Sequence, residues 1–176
     1  MITHHLLDLT KPWVEILISK EIQMSDTKPK QSSQHKETST DPAAFAQWPA
    51  GLREEMLENA NNGCVGSILV SETDRVRIWQ FRIGPGERSP FHRHVNPYFW
   101  TIFTAGKGRA YFSSGEIRDV TFYEGETMHF YYGPGEYKLH MVENTGDTEL
   151  QFCTVEFLDG TNEPLPVPDE IRMSPK

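Results

Sequence analysis

From Cys64 onward the sequence is cut into short β-rich runs at near-regular spacing, and this restricts the fold more than any other feature. The runs are CVGSILV, RVRIWQFRIG, PYFWTIFTAG, GRAYFSS, IRDVTFY, TMHFYYG, YKLHMVEN and ELQFCTVEFL. Between them stand Gly84-Pro85-Gly86, Gly106, Ser113-Ser114-Gly115, Gly125, Gly133-Pro134-Gly135 and the stretch from Asn144 to Asp147. β-branched and aromatic residues favour extended backbone, whereas Gly, Pro, Asn and Asp punctuate it. Eight such runs without a long helical stretch between them predict an all-β, antiparallel sandwich or barrel. A chain of 176 residues, 37% apolar, can bury one core, so one domain is expected.

The flanks read differently. Residues 1–40 are expected to be a disordered or non-native extension, because MSDTKPKQSSQHKETST is polar and carries too little apolar surface to fold. Lys20-Glu21 can be encoded by a ribosome-binding sequence, which makes Met24 a candidate natural start and residues 1–23 a candidate leader. The His4-His5 pair is then unrelated to catalysis. Residues 41–63 are expected to form one or two short helices, the first starting at Asp41-Pro42 and the second closing at Asn62-Gly63. Residues 159–176 form a Pro-rich tail, expected to lie extended along the surface or a partner subunit.

Acids outnumber bases 25 to 17, for a net charge of −8, which argues against a nucleic-acid surface. No apolar run approaches the length of a membrane span, and the N-terminus lacks a signal-peptide pattern. Cys64 and Cys153 sit in strand-like apolar settings that suit unbridged thiols in a reducing compartment. A cytoplasmic protein without nucleic-acid or membrane partners is the expectation.

Chemistry concentrates in GERSPFHRHVNPYFWTIFTAGKG. Alternate residues of a strand share a face, so His92 and His94 point one way while Phe91, Arg93 and Val95 point the other. Two imidazoles on an inward face can ligate one ion. His140, which shares a strand face with Lys138 and Val142, is a candidate third ligand. His129 is a candidate fourth ligand or acid/base group if it faces inward, and Trp79, Trp100, Phe81, Phe103, Phe112, Phe122 and Phe152 read as core.

Gly86, His92 and His94 closing at Gly106, followed by Gly125, His140 and Asn144, resemble the two motifs of the cupin superfamily. The resemblance covers about residues 64–158 and implies an antiparallel jelly-roll β-barrel. It also implies one divalent metal ion held by His92, His94 and His140. The glutamate that usually completes the first motif has no counterpart: the spacing falls on Phe99, with Tyr98 as the near alternative. Phe99 is therefore expected to make an apolar wall beside the metal. His140 also stands further from Gly125 than usual, which lengthens the turn at Gly133-Pro134-Gly135.

Three-histidine members of the superfamily include iron(II) dioxygenases, so Fe(II) is favoured, with Zn, Mn, Ni or Cu open. The implied function is dioxygenation of a small oxygen-bearing substrate. The alternatives are Lewis-acid chemistry (isomerase, lyase or hydrolase) and a non-catalytic binding cupin. Tyr98, Lys138 and His129 are the candidate catalytic residues: the phenol to donate to a bound oxygen, the ammonium to meet a substrate carboxylate near the mouth. A homodimer is expected, as many cupins dimerise through the barrel.

Overall fold

The computed structural model describes residues 37–173. Among these, nine strands form two antiparallel sheets. In chain order they are β1 (Ile68–Glu72), β2 (Val76–Ile83), β3 (His92–His94), β4 (Tyr98–Ile102), β5 (Gly106–Phe112), β6 (Ile117–Phe122), β7 (Thr127–Phe130), β8 (Lys138–Asn144) and β9 (Leu150–Phe157). One sheet runs β1-β2-β9-β4-β7 and the other β3-β8-β5-β6. Each of the eight runs seen in the sequence holds a strand, and the ninth strand, β3, is the short His92–His94 segment itself. The leader, the Met24 start and the His4-His5 pair lie outside the described residues.

Alternation sorts each strand between an inner and an outer environment. On β9, Leu150, Phe152, Thr154 and Glu156 are buried, and on β8, Leu139 and Met141 turn away from Lys138 and His140. Leu139 and Met141 meet Phe91 and Tyr111 under a cap formed by Phe45, Trp48, Leu52 and Met56. The helical segment thus buries the outer face of the second sheet, at about 1.5–3 kcal/mol for each large apolar side chain removed from water. Phe103, expected in the core, is 56% exposed instead, because it follows Ile102 onto the outer side of β4.

The helical segment also differs in detail from the sequence expectation. Asp41 caps a 3-10 turn, Pro42–Phe45, by accepting from the Ala43 N–H at 2.9 Å. The one α-helix among the described residues, α1 (Leu52–Glu58), closes at Asn59, short of Asn62-Gly63. Asn62 instead holds the neighbouring strand, its side chain donating to Phe91 O at 2.8 Å and its carbonyl accepting from the Arg93 N–H at 2.7 Å. Both bonds grip the backbone around His92. Gly115, in the left-handed region at φ 88°, closes the β5–β6 turn, and a side chain there would strike the Ala44 backbone.

Residues at both flanks pack on this barrel. Ser39, placed by the sequence pattern in the extension, donates its N–H to Ser113 O at 2.9 Å. The Pro-rich tail lies along its own barrel through residue 173: Val167 and Ile171 pack on Val65, Leu69 and Trp79, and Arg77 donates to Leu165 O at 2.8 Å. Both cysteines are free. No helix among the described residues is long and apolar enough to cross a membrane.

Candidate metal centre

Three strand registers assemble the centre. β3 pairs with β8 so that His92 lies opposite His140 and His94 opposite Lys138, while Phe112 on β5 lies opposite His140 from the other side. His92, His94 and His140 therefore converge, with ligand atoms within 4.8 Å of one another. His92 and His94 are each 3% exposed. Pro90 O can only accept, so the His92 Nδ1 at 3.1 Å must carry the proton, which leaves the Nε2 lone pair for a ligand.

His94 Nε2 and His140 Nε2 face each other at 3.2 Å, and the Nδ1 atoms of both rings are buried without a hydrogen-bond partner. Two nitrogens that bind one ion at about 2.1 Å sit roughly this far apart. Burial is also the main force on their protonation. It pushes His92 down to about 4, against the Pro90 carbonyl, and His94 and His140 well below the ordinary imidazole range, with the Lys138 charge adding to the effect. Neutral imidazoles are what a metal requires. The residues present fit a divalent ion.

The same two-sheet barrel, with both sequence motifs meeting inside it on β3 and β8, decides the fold. This arrangement resembles the cupin fold. No family model matches the chain, and no curated protein does. The barrel is similar to a crystal structure of a cupin domain from Bordetella pertussis, 25% identical with a TM-score of 0.44 over 49% of this chain and 85% of that one. An RmlC-like cupin family protein from Methanocaldococcus jannaschii, with a double-stranded β-helix fold, is 20% identical with a TM-score of 0.40 over 49% and 73%. A recombinant oxalate oxidase in complex with glycolate is 19% identical with a TM-score of 0.36, over 51% of this chain and 43% of that one.

In this barrel it is Tyr98, not Phe99, that stands beside the histidines. The Tyr98 ring stacks on His94 at 4.0 Å and on Phe130 at 4.6 Å between centroids. Phe99 turns out one register away and packs on Phe157 and His129. His129 shares that outer side, since it pairs with Phe99 across β4 and β7, and so it lies away from the three histidines. The acid/base role considered for His129 is not supported by this placement.

Lys138 is 5% exposed and lies inside the cavity wall rather than at its mouth. Its ammonium donates to the Tyr98 hydroxyl and lies 4.0 Å from the Phe130 ring centroid. Burial, helped by the charge of Arg118, lowers its pKa to about 7. Tyr98 is driven the opposite way, well above the ordinary phenol value, chiefly by burial. Tyr98 therefore remains a neutral O–H group beside the His94 imidazole.

A cavity of about 200 Å³ opens over the centre, lined mostly by apolar groups including Phe81, Trp100, Phe122 and Phe152. Two charged groups in the barrel were not evident from the sequence pattern. Arg118 lines this cavity, and Glu156 is buried opposite Tyr98 on β9. Alternation could have flagged both, as Arg118 shares a face with Val120 and Phe122, and Glu156 with Phe152 and Thr154. Glu156 accepts from Trp79 Nε1 at 2.7 Å and is not part of the histidine cluster.

Proposed function

We propose that this protein is a metal-dependent cupin enzyme, a three-histidine iron(II) dioxygenase acting on a small oxygen-bearing organic molecule. The observation that carries this reading is the convergence of three inward-facing imidazoles in a mostly apolar cavity, with the Tyr98 ring stacked on His94. Bound iron(II) supplies redox chemistry toward O2 and a Lewis acid for a substrate oxygen, with its charge undiminished by a protein carboxylate.

The chain's own residues do the remainder. His92, His94 and His140 hold the ion, and the bond from His92 to Pro90 O fixes one ring in its ligating tautomer. Phe81, Trp100, Phe122 and Phe152 exclude bulk water, which strengthens each polar contact inside. Tyr98 takes a hydrogen bond from Lys138, and its own proton would pass from its contact with Tyr132 to a substrate oxygen.

The Lys138–Tyr98 pair favours one second reading, a Lewis-acid isomerase or lyase that moves a proton without O2. Oxygen consumption separates the two. Full-chain protein loaded anaerobically with iron(II) is expected to consume O2 with a member of a panel of β-diketones, thiols and hydroxyketones, and Tyr98→Phe to lower kcat roughly a hundredfold. Turnover with zinc and without O2 uptake would support the Lewis-acid reading instead. Purified protein that takes up no transition metal would defeat both and leave a non-catalytic binding cupin.

A further inference from the structure

One cation in the cavity wall has no part in the chemistry above, the guanidinium of Arg118. It lies on β6, whose inward residues Arg118, Val120 and Phe122 all line the cavity. In the order of the second sheet, Phe112 on β5 stands between His140 on β8 and Arg118 on β6. The guanidinium lies 5.0 Å from the Phe112 ring centroid, and that ring stacks on His140 at 5.7 Å. One aromatic ring thus separates the arginine from the centre.

Arg118 is ordered but open to solvent. Its Nε and Nη2 both donate to a single oxygen of Glu116, at 3.1 and 2.5 Å, and its side chain remains 38% exposed. The one acid lining the cavity among the described residues, Glu126, turns back onto its own loop, where it accepts from the Tyr123 N–H at 3.4 Å. A planar guanidinium at the rim of an apolar chamber matches a carboxylate bidentately and fixes its orientation. A chamber of about 200 Å³ is small beside the roughly 300–1,000 Å³ of drug-sized pockets, so the ligand is a small molecule.

We propose that Arg118 is a specificity-determining residue that receives the carboxylate of a small organic acid, whose oxygen-bearing end reaches the three histidines. Glu116 acts as the arginine's resting partner and is displaced or shared when the acid enters. The position of the far end rests on the metal reading, whereas the carboxylate contact does not.

The test is calorimetric titration of the full-length, zinc-loaded protein with pyruvate and acetoacetate, each compared with its uncharged counterpart, pyruvamide and acetoacetamide. At least one acid is expected to bind about tenfold or more tightly than its amide. Arg118→Gln should abolish that preference, Arg118→Lys should restore part of it, and Glu116→Gln should tighten acid binding. Circular dichroism of each variant establishes that it is folded. Equal binding of acids and amides, binding of none of the acids, or a preference that survives in folded Arg118→Gln would overturn the proposal. An acid preference that is the same with and without zinc would uphold Arg118 and count against the metal reading.

Discussion

Replacing His140 with alanine is expected to remove stoichiometric divalent metal from the protein. His140 is the one ligand contributed by β8, and its Nε2 lies 3.2 Å from that of His94. Even residues that only orient a ligand typically change metal affinity 10–100-fold, and the loss of one of three ligands should cost at least about a hundredfold. Elemental analysis after dialysis would show metal near one ion per chain in the parent and only traces in His140→Ala. His129→Ala is the matched control, because His129 packs on Phe99 outside the barrel, and it should retain full metal. Full occupancy in a folded His140→Ala protein would contradict the site.

A second large effect is expected at Glu156, through stability rather than chemistry. Burial raises its pKa to about 7 from the ordinary 4.5, opposed by the Trp79 hydrogen bond and by Arg77. The folded state therefore keeps this proton up to about pH 7, while the unfolded chain releases it near its ordinary value. Between these limits the folded state binds more protons, so this group's contribution is fully present below the ordinary value and is lost as pH rises toward 7. Glu156→Gln keeps an acceptor for Trp79 and cannot ionise. It should be more stable than the parent at pH 8 by about 2–3 kcal/mol, with the difference shrinking toward pH 5. Urea unfolding of both metal-free proteins at the two pH values checks this, and the comparison cancels the titration of the histidines. An equal or larger deficit of Glu156→Gln at pH 8 would show that the buried carboxylate is held charged.

Much of this architecture was legible in the sequence, for definite physical reasons. Period-2 alternation broken by glycine and proline marked the strands, and the motif resemblance carried by His92, His94 and His140 brought together two of them, which lie side by side in one sheet. What the sequence left open was register. Phe99 and Tyr98 are adjacent, and a one-residue choice sends one ring inward and the other out. The pairing of Tyr98 with Phe130 and Glu156 settles that choice in favour of Tyr98. The same shift removes His129 from the centre. Alternation gives the face of Lys138 but not its depth, which depends on what the opposite sheet packs against it. Arg118 and Glu156 do not stand out in the sequence, because a single charge in a β-rich run looks like an ordinary solvent-facing residue until the opposite sheet is in place.

The central claim is a metal centre made of three imidazoles with no carboxylate. X-ray absorption spectroscopy of the zinc-loaded protein measures this most directly, because imidazole rings scatter with a distinct multi-shell signature. The expected result is three imidazole ligands at about 2.0–2.1 Å with water oxygens completing the shell, and the same first shell in Glu156→Gln. A spectrum fitted by two imidazoles or fewer, or an oxygen ligand lost in Glu156→Gln, would contradict the account.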